Sequence, residues 1–219
     1  MKRLGERAAM KQIIFPSVMA KNQIELDALL TKLHGMAGTL HLDIVHPSYA
    51  PNHSLDFSFK LNKKFCYQAH VMLKSPEKWI ARHLQTIDMF IPQWEEVKNP
   101  KNYIAWMERR HKPVAFALKP ETGIKDLLPY VERIDYLLIL TVHPGFYGGR
   151  YISAPLRRIA QIKHHNYRIK VIVDGGINPT TIRKARQAGC DYFISGSFVS
   201  KSKSPRKSLQ LLRQALRRH

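Results

Sequence analysis

At 219 residues the chain can bury one sizeable core and is short for two domains. Its 44% apolar and 24% charged residues are those of an ordinary globular protein, and no window approaches the roughly 20 apolar residues of a membrane span. The balance of 36 Lys and Arg against 16 Asp and Glu leaves a net charge of +20, but the basic residues are scattered through nearly every expected helix, so a solvated surface is expected rather than a nucleic-acid arm.

The opening MKRLGERAAMKQIIF has charges where a secretory signal needs an apolar run, so residues 1–11 are expected to be a tail, with Met10 an alternative start. Short apolar or β-branched runs then alternate with longer segments of period near 3.6. The expected strands are 13–19, 39–45, 65–73, 87–91, 113–118, 135–142, 169–174 and 191–195. Expected helices include 23–35, 76–85, 123–134, 155–165, 178–189 and an amphipathic last helix with Leu209, Leu211, Leu212, Ala215 and Leu216 on its apolar side. Strands alternating with helices pair in parallel through right-handed crossovers. Eight of them predict an α/β fold, a single (β/α)₈ TIM barrel over residues 12–219. A doubly wound sheet is the alternative, but no G-x-G-x-x-G follows the first strand. Cys66 and Cys190 lack metal-knuckle spacing and are expected to be reduced packing residues of a cytoplasmic protein.

Barrel chemistry collects at the C-terminal ends of the strands. On the second strand, His41 and Asp43 share one face and Leu42 takes the other. Each of the two would cost about 1–3 kcal/mol if buried without a partner. The third strand adds His70, with Met72 on the same face, and the seventh ends in Asp174. Two imidazoles and two carboxylates at one rim suit one divalent ion, Zn, Fe, Mn or Co, although a hydrogen-bonded core histidine is the commoner case. Asp174-Gly175-Gly176-Ile177-Asn178-Pro179 places glycines before a helix start, a ready phosphate seat with bare N–H groups. Gly196-Ser197 after the eighth strand supplies the other half. After the sixth strand, Val142-His143-Pro144-Gly145-Phe146-Tyr147-Gly148-Gly149 reads as a glycine-hinged loop able to close over a ligand. Plain turn chemistry explains any one of these glycine runs alone.

As a set, Pro16-Ser17-Val18-Met19, His41-x-Asp43, Ala50-Pro51-Asn52, His70-Val71-Met72, Thr141-Val142-His143-Pro144-Gly145-Phe146, Asp174-Gly175-Gly176-Ile177 and Ser195-Gly196-Ser197 resemble the ribulose-phosphate 3-epimerase family in order and interval, over about residues 12–202. The resemblance implies metal-assisted proton transfer at C3 of a ketose phosphate. It implies His41, Asp43, His70 and Asp174 as metal ligands, and Asp43 and Asp174 as the acid/base pair. Ser17, His70 and Met72 would contact substrate, and Gly145, Gly148, Gly149, Gly175, Gly176, Gly196 and Ser197 would hold it or its phosphate.

This chain departs from the family at Val45-His46-Pro47, where the family continues with Met and Asp-Gly. It also departs at Leu140 in place of Met, at an inserted Tyr147, and at Gln93 or Trp94 where the fourth strand tends to carry histidine. The expected function is interconversion of D-ribulose 5-phosphate and D-xylulose 5-phosphate, by a homo-oligomer without membrane or nucleic-acid partners. The alternatives are a 3-epimerase of a hexulose 6-phosphate, a low-activity paralogue and, remotely, a nucleic-acid-binding protein on a retired barrel. A decarboxylase of the D-x-K-x-x-D type would need Lys at Val45.

Overall fold

The computed structural model describes residues 12–144 and 149–217. The expected tail lies outside them, as do Gly145, Tyr147 and Gly148. Eight strands form one parallel sheet: β1 (Ile14–Val18), β2 (Thr39–Val45), β3 (Cys66–Met72), β4 (Met89–Pro92), β5 (Ala115–Leu118), β6 (Tyr136–Leu140), β7 (Lys170–Asp174) and β8 (Tyr192–Ser195). Their order is β4-β3-β2-β1-β8-β7-β6-β5, and a single parallel bridge, Gln93 to Ala117, joins the two ends. The sheet is thus a nearly closed barrel of eight parallel strands, the architecture expected of alternating strands and helices.

The outer layer holds α1 (Gln23–Leu33), α2 (Glu77–His83), α3 (Pro100–Glu108), α4 (Arg158–His165), α5 (Thr181–Gln187), α6 (Ser197–Ser200) and α7 (Pro205–Arg217). Asn22 and Asn99 cap α1 and α3 by accepting the N–H groups of Glu25 and Asn102. The expected helix over 123–134 is instead a 3₁₀ turn at Leu128–Arg133. Pro129 sits where an α-helix would need an N–H donor, so the segment tightens rather than continuing. In α7, Leu209, Leu212 and Ala215 are buried, whereas Leu211 is 40% exposed and does not join the apolar side. No helix among the described residues is long and apolar enough to cross a membrane.

The bottom of the barrel is tied by a repeated device. Asp88, Asp135 and Asp191 stand just before β4, β6 and β8. Each accepts the backbone N–H at the start of the preceding odd strand, from Tyr67, Val114 and Val171, all at 2.8 Å. Gln12 does the same at β2, its Oε1 accepting from Gly38 and Thr39. Four strand starts that would otherwise carry unpaired donors are thereby satisfied.

Strand alternation divides the core in two. One set of side chains packs outward against the helices, Leu40, Leu42, Val71 and Phe193 among them. The other points inward, with Phe15, Ile91, Ala115, Ala117, Leu138, Leu140, Ile172 and Ile194 forming an apolar plug. His41, Asp43, His70 and Asp174 share this inward parity and lie at the upper, C-terminal end of the plug.

Candidate metal centre

The strand register sets the site. Ser17 lies beside His41, and Asp43 lies beside His70. Asp174, the last residue of β7, comes across the barrel mouth. One ligand-competent atom from each of His41, Asp43, His70 and Asp174 lies within 4.8 Å of all the others. His41 Nε2 is 3.4 Å from Asp43 Oδ1 and 3.9 Å from Asp174 Oδ2. His70 Nδ1 is 3.6 Å from Asp43 Oδ1 and 3.7 Å from Asp174 Oδ2.

These separations are too long for hydrogen bonds. Accordingly, His41 Nδ1 and Nε2 and His70 Nδ1 are buried without a hydrogen-bond partner. Ligands about 2.1 Å from a central ion in tetrahedral array stand about 3.4 Å apart, close to the spacings observed. Donor type, burial and spacing therefore all fit a divalent cation.

Electrostatics point the same way. Burial pushes the Asp43 carboxyl up, but His41 and His70 outweigh it and hold the group well below the usual carboxylate range. Burial pulls the His70 imidazole down, while Asp174 and Asp43 outweigh it and raise it from 6.5 to about 9. The folded protein thus binds the His70 proton more tightly than the unfolded chain does. Its contribution to stability is complete below pH 6.5 and is lost as pH rises to about 9. Chelator-treated protein is expected to show a falling denaturant midpoint across that window. Saturating metal, which needs the imidazole deprotonated, is expected to reverse the slope.

The surrounding shell holds the carboxylates in place. The Ser17 hydroxyl donates to Asp43 Oδ2, leaving Oδ1 towards the histidines. Thr141 donates its N–H at 2.7 Å and its hydroxyl at 2.9 Å to the Asp174 carbonyl, fixing the end of β7. Met72, Gly149, Gly175, Gly176, Gly196 and Ser197 line a cavity of about 560 Å³, its open mouth included, with Ser17, Asp43, His70 and Asp174. Met19, Val142, Pro144 and Ile177, quoted in the sequence motifs without a binding role of their own, line it too. Val45 and Leu140 stand in its wall, so two departures from the family pattern face the ligand space directly.

One detail differs from the sequence-based expectation, and a second decides between two alternatives. The N–H groups of Thr180 and Thr181 are not bare, because Asn178 Oδ1 accepts both, at 2.9 and 3.1 Å. Asn178, three residues before α5 begins, folds its side chain over the turn and takes up these donors. The glycine backbone, rather than the first turn of α5, therefore faces the cavity. At the end of β4, Gln93 rather than Trp94 meets the site. Trp94 packs against Phe116 and Tyr130, whereas Gln93 lies 2.9 Å from His70 Nε2.

Known proteins resemble this chain in sequence and in fold. A model of the ribulose-phosphate 3 epimerase family matches residues 13–200. The ribulose-phosphate 3-epimerase of Eremothecium gossypii is 27% identical over 207 residues, covering 86% of each chain. That of Mycobacterium tuberculosis is 26% identical over 211 residues, covering 92% of each, and that of Schizosaccharomyces pombe 24% over 212 residues, covering 93% of each. In solved structures the barrel resembles KGPDC from Streptococcus mutans, with TM-score 0.65, 10% identity, and 94% and 98% of the two chains covered. It also resembles 3-hexulose-6-phosphate synthase from Salmonella typhimurium, with TM-score 0.66, 13% identity, and 95% and 100% covered. At such identities these structures speak for the fold alone. The sequence match runs nearly end to end through the barrel, and the chain belongs to the ribulose-phosphate 3-epimerase family, making it an isomerase of the carbohydrate epimerase class.

Proposed function

We propose that the chain is a metal-dependent 3-epimerase that interconverts D-ribulose 5-phosphate and D-xylulose 5-phosphate, with His41, Asp43, His70 and Asp174 as ligands of one Zn, Fe, Mn or Co ion. One observation carries this reading: ligand atoms of two carboxylates and two imidazoles gather within 4.8 Å, and three of the four residues, Asp43, His70 and Asp174, line the cavity.

The reaction inverts a carbon next to a carbonyl. Its C–H is a weak acid, and inversion needs one group to take the proton from one face and another to return a proton to the other. Asp43, from β2, and Asp174, from β7, stand on strands three places apart round the barrel, and both line the cavity. Asp43 is kept ionised by its histidine neighbours and oriented by the Ser17 hydroxyl. Asp174 is held through its backbone by Thr141. One carboxylate accepts the C3 proton as a cis-enediolate forms, and the other, protonated, delivers to the opposite face. In the reverse direction the roles exchange. A divalent ion, when bound, supplies Lewis-acid stabilisation of the charge that builds on the substrate oxygens. Met72, Val45 and Leu140 form an apolar wall that keeps water from the reacting carbon. Gly175, Gly176, Gly196 and Ser197, with residues 145–149 of the sixth loop, are proposed to receive the phosphate and close over it. Bare glycine backbone lets N–H groups approach the anion closely.

The test is solvent deuterium incorporation at C3 of D-ribulose 5-phosphate. Incorporation is expected with metal, with loss under a chelator and recovery on adding back Zn, Mn, Fe or Co; no exchange under any condition would sink the proposal. His70→Ala is expected to lower bound metal below one per chain, and unchanged stoichiometry would remove His70 from the ligand set. A second reading, a 3-epimerase of a hexulose 6-phosphate, is favoured by Val45 and Leu140 standing in the cavity wall. Side-by-side turnover of five- and six-carbon ketose phosphates separates the two.

A further inference from the structure

We infer that Gln93 is a positioning residue: its side-chain amide selects the His70 nitrogen that faces the candidate cation, so that one residue both joins the last seam of the barrel and sets the affinity of the metal site. The inference rests on the metal-dependent reading above.

Gln93 is fully buried directly after β4. Its backbone makes the parallel bridge to Ala117, across which the two ends of the sheet meet. Its side chain has three polar neighbours. Two of them, the Ala117 carbonyl and Glu95 Oε2, can only accept, at 3.1 and 3.0 Å from the amide nitrogen in the orientation that satisfies them. The reverse orientation would set the amide oxygen against a carboxylate and a carbonyl, burying two repulsive contacts. The third neighbour, His70 Nε2, then lies 2.9 Å from the amide oxygen and must be the donor.

Glu95 cannot relax this constraint, because its other oxygen is already engaged. Oε1 accepts the Lys119 N–H at 3.0 Å and the Thr122 hydroxyl. The direction of every bond is therefore set from the β5 loop inward: Lys119 and Thr122 donate to Glu95, Gln93 donates to Glu95 and Ala117, and His70 donates to Gln93. With the proton on Nε2, the neutral imidazole presents its lone pair at Nδ1, the nitrogen 3.6–3.7 Å from the two carboxylates. His41 presents Nε2 to the same carboxylates, so the two histidines use different nitrogens. The amide chain is the feature that makes the Nδ1 choice for His70.

A buried ring N–H deprived of its acceptor either stays unsatisfied or moves its proton to Nδ1, where it blocks the cation. Outer partners of ligand histidines typically contribute 10–100-fold to metal affinity. Gln93→Met keeps size and backbone but removes acceptor and donor together. The pair Gln93→Glu with Glu95→Gln exchanges the two polar groups, returning an acceptor to His70 and a donor–acceptor contact between the positions, but it takes the donor away from the Ala117 carbonyl, so recovery is partial.

The experiment measures Zn²⁺ affinity by competition with a chromophoric chelator, without substrate, for wild type, Gln93→Met and the exchanged pair. Melting curves of the metal-free forms monitor the fold. Gln93→Met is expected to bind 10–100-fold more weakly, and the exchanged pair to bind more tightly than Gln93→Met without reaching wild type. In wild type loaded with Zn²⁺, nitrogen NMR of labelled histidine is expected to show the His70 ring proton on Nε2, a readout that holds even if Gln93→Met fails to fold. A proton on Nδ1, wild-type affinity in Gln93→Met, or an exchanged pair as weak as Gln93→Met would overturn the inference while leaving the metal-dependent reading intact. Wild type that binds no Zn²⁺ would overturn both.

Discussion

Asp174→Asn is expected to leave the barrel folded and to reduce epimerisation by about 10²–10⁴-fold, the range for losing a positioned acid/base group. Asparagine matches aspartate in shape, and the hydrogen bonds that hold this position run to the Asp174 backbone carbonyl, which the substitution leaves alone. The substituted side chain can still reach the cation as a neutral ligand, but it can neither take nor return the C3 proton. Turnover of D-ribulose 5-phosphate, measured beside a melting curve, checks the expectation. Near wild-type turnover would remove the two-carboxylate mechanism. A collapse of the melting temperature would instead place Asp174 in the architecture.

Gly175→Ala is expected to act through the backbone. Gly175 has φ +111°, a region that side chains rarely adopt, and a Cβ there would lie 2.5 Å from Val142 Cγ2 and 2.9 Å from the Val142 backbone nitrogen. The conformation alone costs about 1–3 kcal/mol for a non-glycine residue, and the overpacking about 1–3 kcal/mol more. For a chain of this size each kcal/mol corresponds to about 2–4 °C, so the melting temperature is expected to fall by about 4–24 °C. Metal affinity is expected to fall with it, because Asp174 is the preceding residue and must turn if residue 175 does. A stability within 1 °C of wild type would show that Val142 yields more easily than its place at the end of β6 implies.

Most of the architecture was legible because strand and helix periods differ so clearly. All eight strands begin and end within three residues of the apolar runs that announced them. The segment at 123–134 misled because Leu127, Leu128 and Val131 have helical spacing, and the weight of Pro129 lay in a missing donor rather than in hydropathy. Leu211 misled in the same way, through a spacing that fits a helix but not the face α7 turns to the barrel. In the site, alternation along β2 put His41 and Asp43 on one side, and strand ends placed His70 and Asp174 at the same rim. That much needs only parity and topology. The Gln93 amide could not be read in this way. Its role depends on which neighbours accept and which donate, and Ala117, on β5, meets it only after the sheet has curled round. The cap by Asn178 was within reach, since asparagine before Pro-Thr-Thr is a local signal, but the glycines beside it drew attention to phosphate instead.

The Gln93–Ala117 bridge is also where the barrel is expected to open first. Every other neighbouring pair of strands shares at least two registered positions, whereas β4 and β5 meet through this one. Brief openings of a folded protein start where the fewest bonds must part, so solvent is admitted first on the side of the ring where His70 is anchored. A ligand that binds only the closed ring draws the equilibrium towards closure by mass action. The ion at the mouth would then serve as a clasp on the seam, slowing the breathing of the whole cylinder from a point that touches neither β5 nor the helices outside it.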